Sequence, residues 1–190
     1  HGGIVIADEV QSGFGRLGEH MWGYQDDDVT PDIITMGKPM GNGHPVSALL
    51  TKREIVDSLD ETYHGNSYFN TFGGNPVSAA AALAVLDILE EESLIDNANK
   101  VGSYLKGQLK ETLAENDVVI EIRGKGLFLG IELQDTAKAT KAMEEMMREG
   151  VLVGKTGPLN NIIKLRPPMT FKQKHADLLV EKLSYCLRQD

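Results

Sequence analysis

The chain has 190 residues, 41% of them hydrophobic and 25% charged, an ordinary composition for a soluble globular protein, and its length fits one large domain or two small ones. Nineteen Lys and Arg against 28 Asp and Glu give a net charge of −9, which disfavours a nucleic-acid partner. A single cysteine, Cys186, excludes an internal disulfide framework and a cysteine zinc cluster. No apolar run approaches a membrane span and no signal-peptide pattern is present, so the expected setting is the cytoplasm. The chain lacks an initiator Met and opens on a short apolar run, Ile4 to Ala7, which reads as a buried parallel strand. One such strand cannot make a sheet, so a fragment with earlier strands missing is expected.

In chain order, residues 4–10 read as a strand and 11–32 as Gly- and Asp-rich loop with room for a short helix. Ile33 to Met36 is a second buried strand. Gly and Pro throughout residues 37–45 exclude regular structure there. Residues 46–51 read as a strand and 52–59 as a helix. Asn75 is a good N-cap with Pro76 at the first helical position, ahead of an Ala-rich helix over 77–92. A second, amphipathic helix covers 93–115. Strands are expected at 118–122 and 127–133, around a turn Arg123-Gly124-Lys125-Gly126. A helix over 137–149 is stopped by Gly150. Short strands at 151–153 and 162–165 and a final helix over 173–188 complete the chain. The alternation from 116 onward reads as a small α/β domain separate from the first part.

Several literal motifs lack their context. Gly13-Phe14-Gly15-Arg16-Leu17-Gly18 matches a dinucleotide fingerprint, but no strand runs into Gly13 and no helix opens behind it. Gly154-Lys155-Thr156 would need a glycine where Glu149 stands. The histidines show no zinc spacing. Ser12 and Ser67 sit in no nucleophile elbow.

Asp8 closes one apolar strand, and Lys38 follows another in a Gly-rich loop. Ligands of open α/β sheets bind beyond the carboxyl ends of strands. An acid and a lysine at neighbouring strand ends suit pyridoxal phosphate: the lysine forms a Schiff base, and the carboxylate keeps the pyridine nitrogen protonated. Taken singly, each residue has a plainer reading, a cap or a solvated side chain. Thr71, in the loop before Asn75, can hold a phosphate or merely precede a helix start. Arg123 can clamp a carboxylate; without more information a surface salt bridge is the favoured reading.

Four blocks carry a resemblance: Ile6-Ala-Asp8-Glu9-Val-Gln11-Ser-Gly-Phe-Gly-Arg16, Pro31-Asp-Ile-Ile-Thr-Met-Gly-Lys38-Pro-Met-Gly-Asn-Gly43, Thr71-Phe-Gly-Gly-Asn-Pro76 and Arg123-Gly-Lys-Gly-Leu-Phe-Leu-Gly130. In this order, over nearly the whole chain, they resemble the class III (ω-type) aminotransferases. The resemblance implies an α/β fold, the C-terminal part of a fold-type I pyridoxal-phosphate-dependent transferase. It comprises the end of a large mixed-sheet domain (1–92), a connecting helix (93–115) and a small C-terminal α/β domain (116–190). It implies Lys38 as the Schiff-base lysine and catalytic base, Asp8 at the pyridine nitrogen and Gln11 near the ring hydroxyl. Thr71 would bind the cofactor phosphate of a neighbouring subunit in a homodimer with shared active sites. Arg123 would meet a substrate carboxylate. Glu9 and Arg16 match too, in structural roles.

Family members are longer, and their first half supplies a phosphate loop and a ring-stacking aromatic that are not found here. Gly41 to Pro45, Phe69 to Thr71 and Gly157 to Pro168 look most like the branch holding alanine–glyoxylate aminotransferase 2-like proteins and ethanolamine-phosphate phospho-lyases. The expected activity is amino transfer between an amine or amino acid and a keto acid. Elimination of phosphate from a phosphorylated amino alcohol, or an inert fragment, are the alternatives.

Overall fold

The computed structural model describes residues 2–27, 29–64 and 68–188, so Ser67 lies outside the described residues. The chain divides into two compact units, residues 1–15 with 20–93, and residues 16–19 with 94–190.

The first unit is built on a three-stranded mixed sheet of order β1-β2-β3. Strands β1 (Ile6–Asp8) and β2 (Ile33–Met36) are parallel, with Asp8 opposite Thr35; β2 and β3 (Ala48–Thr51) are antiparallel. Strand β1 is shorter than the expected 4–10, although the Val5 carbonyl still accepts from the Asp32 and Ile33 amides. Asp32 secures this end of the sheet: it accepts from the Val5 amide at 2.8 Å and pairs with Lys52 at 2.6 Å. Helix α1 (Arg53–Tyr63) runs a turn longer than expected. Helix α2 (Pro76–Glu91) begins as anticipated, with Asn75 accepting from the Ser78 amide and Pro76 in the first turn. Buried apolar residues are sparse: Phe14, edge-on to Trp22 at 5.3 Å, with Ile34 and Leu89. Ile6, Leu49 and Leu50 on the sheet, and Ile4 ahead of it, stay exposed.

The second unit is an antiparallel sheet of order β4-β5-β7-β6: Val119–Lys125, Phe128–Leu133, Ile162–Leu165 and Gly154–Thr156, with β6 at the edge. Alternation along β5 buries Leu129, Ile131 and Leu133. They pack in one core with Leu105 and Leu109 of α3 (Leu94–Thr112), Met146 of α4 (Thr136–Arg148) and Leu183 of α5 (Gln173–Cys186). Helix α3, expected as a connector, belongs to this unit and packs on α5 and β4.

Two expectations are corrected. Residues 151–153 are not a strand; the strand is 154–156, because it is Gly154 to Thr156 that pair with Ile162 to Lys164. Arg123, Gly124 and Lys125 are not in a turn either. They extend β4 and pair with Gly130, Leu129 and Phe128, so the reversal is the two-residue turn Gly126-Leu127. Gly124 permits this, since a Cβ there would stand 2.1 Å from the Phe128 carbonyl oxygen.

Candidate active site

The β1–β2 pairing places Asp8 at the carboxyl end of one strand and Lys38 just beyond the carboxyl end of its parallel neighbour. Asp8 is exposed. Its Oδ1 accepts from the Thr35 hydroxyl and from the Val10 amide, each at 3.2 Å. Its Oδ2 receives no hydrogen bond among the described residues.

Lys38 opens a single 3-10 turn, Lys38–Gly41. Its φ of +36° is a left-handed value in a non-glycine residue, a conformation costing on the order of 1–3 kcal/mol that persists only where surroundings impose it. The surroundings are visible. The amides of Met40, Asn42 and His44 bond back to Gly37, Pro39 and Gly41. A Cβ at Gly41 would lie 2.6 Å from a Val46 methyl, so this glycine lets the loop close on itself. His44 Nε2 meets the Ser78 hydroxyl of α2 at 2.8 Å, and Asn75 joins the same hydroxyl at 2.8 Å. The Lys38 loop is thereby tied to the start of α2. The Lys38 side chain is exposed and makes no hydrogen bond or ion pair among the described residues.

Gln11 lies exposed in the turn after β1. Thr71 lies exposed in the turn before α2, a loop held by bonds from the Phe72 and Gly73 amides to Asn70. Its hydroxyl has no partner among the described residues.

Glu9 is 2% exposed, yet its carboxylate is fully used. It accepts from the Ser12 hydroxyl at 2.7 Å, the Gly23 amide at 2.9 Å and the Tyr24 amide at 2.8 Å, pinning the loop after β1. The glycines of the discarded dinucleotide motif serve packing. A Cβ at Gly13 would meet the Glu9 carbonyl at 2.8 Å, and one at Gly18 would meet Asn99 backbone at 2.6 Å. In the second unit, Arg16 donates to the carbonyls of Leu127 and Pro167. Burial, with Arg166 nearby, lowers its pKa from the usual guanidinium value.

Arg123 belongs to the second unit. Its guanidinium pairs with Glu132 at 2.5 Å and also with Glu121, as a surface ion pair would. These bonds raise its pKa, that to Glu132 foremost. In turn Arg123, and then Asn161, hold the Glu132 carboxyl below the usual range. Residues missed from sequence are Thr35, His44 and Ser78. Each is ordinary in type, and only the strand register or a 34-residue closure gives it a partner.

The model of the family described as aminotransferase class-III matches residues 1–187. The chain belongs to the class III aminotransferase family. It is 45% identical to an Arabidopsis thaliana protein named alanine–glyoxylate aminotransferase 2 homolog 2, mitochondrial, over 98% of this chain and 40% of the relative. It is 40% identical to the Caenorhabditis elegans ethanolamine-phosphate phospho-lyase homolog 1, over 92% of this chain and 39% of that one. Among solved structures, an Arthrobacter phospholyase in complex with phosphoethanolamine matches with a TM-score of 0.93 at 44% identity. A Bacillus anthracis aminotransferase matches with a TM-score of 0.92 at 37% identity. Each match covers 100% of this chain and 46% of the other. The class III chain thus spans about 40% of the length of the curated relatives it matches. Its fold is that of part of a fold-type I transferase, and family membership implies pyridoxal 5'-phosphate as cofactor.

Proposed function

We propose that this chain supplies the lysine-bearing part of a pyridoxal-phosphate-dependent aminotransferase, which moves an amino group between an amine or amino acid and a keto acid. The observation that carries the reading is the placement of Lys38 and Asp8 at adjacent carboxyl ends of parallel strands. The donor chemistry fits the group: an amine without hydrogen bond or ion pair, a carboxylate with one oxygen open, and a threonine hydroxyl without a partner, all among the described residues. When bound, the cofactor supplies an electron sink for charge developing at the substrate α-carbon.

The chain's own residues have the remaining tasks. Asp8 holds a proton at the pyridine nitrogen through its open Oδ2. Lys38 Nζ anchors the cofactor, then takes and returns the proton at the substrate α-carbon. The strained 3-10 turn keeps that amine at the strand end without a competing carboxylate. Gln11 contacts the ring hydroxyl, and Thr71 binds phosphate in the partner subunit of a homodimer. The exposure of Tyr68, Phe69 and Phe72 around Thr71 supports a partner surface there. Arg123 meets a substrate carboxylate by exchanging it for Glu121 or Glu132. The proposed compartment is the cytoplasm; the Arabidopsis thaliana relative carries "mitochondrial" in its name, so cell fractionation tests it.

A second reading is phosphate elimination from a phosphorylated amino alcohol, favoured by the likeness to the Arthrobacter phospholyase. Both readings share proton removal by Lys38. They differ in whether phosphate leaves or a keto acid accepts the amine.

The test is incubation with pyridoxal 5'-phosphate, borohydride trapping and peptide mapping. A single label at Lys38 is the expected result. Scattered or absent labelling overturns the reading for this chain. Amino-acceptor dependence against phosphate release then separates transferase from lyase.

A further inference from the structure

We infer that Thr35 is a positioning residue for Asp8, orienting its carboxylate so that one oxygen is spent within the protein and the other is kept for the ligand. The inference deepens the proposed function and rests on the reading of Asp8 given there. The parallel register sets Thr35 opposite Asp8. The Thr35 hydroxyl donates to Oδ1 at 3.2 Å, and the Val10 amide donates to the same oxygen at 3.2 Å. Both donors therefore converge on Oδ1, while Oδ2 has none among the described residues.

Without such donors an exposed aspartate rotates about its terminal torsion, which is broad and nearly two-fold. Val10, two residues on, makes a bond that many aspartates make locally. The Thr35 bond is different: it comes from another strand, 27 residues away, so it fixes the carboxylate relative to β2 and hence to the strand that leads into Lys38. The role suits a side chain at this register position that can donate; a strand threonine present only for β-propensity would not need its hydroxyl.

The probe is pyridoxal 5'-phosphate, with binding followed by the visible absorbance of the bound cofactor and by the pH dependence of that band. Thr35→Val keeps shape and removes the donor. It is expected to weaken binding about tenfold, as for one hydrogen bond to a charged group, and to move the pH dependence of the band. Thr35→Ser is expected to restore both to within about twofold. In an Asp8→Asn background, Thr35→Val is expected to change nothing further, because a residue acting through another is non-additive with it. Equal effects of Thr35→Val in both backgrounds, or none in either, overturn the inference while leaving the proposed function intact. A protein that shows no cofactor band at all, or whose band is indifferent to both Asp8→Asn and Lys38→Ala, overturns the proposed function itself and the inference with it.

Discussion

Gly102 of α3 lies against Gly126 of the β4–β5 turn so closely that a Cβ on Gly102 would stand 2.2 Å from the Gly126 carbonyl oxygen. No side chain fits between these backbones. Helix α3 carries a second glycine, Gly107, with nothing within 4 Å of its Cβ direction. The pair makes a controlled contrast. Gly102→Ala is expected to destabilise by about 1–3 kcal/mol through forced separation of helix and hairpin. Gly107→Ala is expected to stabilise by roughly 0.5–1 kcal/mol by lowering the entropy of the unfolded chain. Urea denaturation of both variants checks the opposite signs.

Glu9 invites the next prediction. Glu9→Ala would leave the Gly23 and Tyr24 amides and the Ser12 hydroxyl without their acceptor. Each buried orphan costs about 1–3 kcal/mol, less where water reaches it. The expected result is a lower denaturation midpoint and faster proteolytic cleavage within residues 10–24, with Lys38-region peptides cut no faster. Unchanged cleavage in 10–24 would mean that the carboxylate does not hold the loop.

Asp32 and Glu132 predict an acid limb. Lys52 and the Val5 amide lower the Asp32 pKa, and Arg123 and Asn161 lower that of Glu132. A carboxylate depressed in the folded state adds stability above its unfolded pKa and loses it as pH falls through the folded value. Melting temperature is therefore expected to fall as pH drops below the ordinary carboxylate range. Glu132→Gln should flatten that fall, and Arg123→Ala should flatten it similarly by returning Glu132 towards its usual value. A melting profile as steep in both variants as in the parent would count against the pairing.

Cys186 supplies a fourth test. It is buried, and burial, reinforced by Glu149 and Glu145, pushes its thiol pKa up. The reactive thiolate is thus scarce and shielded. Alkylation at neutral pH is expected to be slow in the folded protein and to rise abruptly across the denaturant midpoint. Rapid labelling under native conditions would show that α5 opens locally.

Much of this was legible beforehand because local chemistry agreed with the fold. Asn75 and Pro76 announced α2, and alternation announced β5. Their places after two apolar strands, and then the family blocks, singled out Asp8 and Lys38, and the structure sets these two at adjacent strand ends. The failures share a cause, in that pairing partners lie far away in sequence. Glycines at 124 and 126 looked like a broad turn, but the antiparallel register needs only Gly126 and Leu127 to reverse the chain. Val151 to Val153 looked more strand-like than Gly154 to Thr156, yet the latter have β7 beside them. Thr35 became notable only once its register partner was Asp8.

The second unit is not a continuous stretch of chain: Arg16 to Glu19 belong to it although the residues on both sides do not. Cutting the polypeptide once, at Ser93, would therefore yield a piece without its own clasp. The Arg16 guanidinium that bridges the Leu127 and Pro167 carbonyls would stay behind, as would the backbone of Leu17 that seats Gly126. Any dissection of this protein into exchangeable modules has to carry that four-residue loop along, grafted or added as a separate peptide, for the excised module to close.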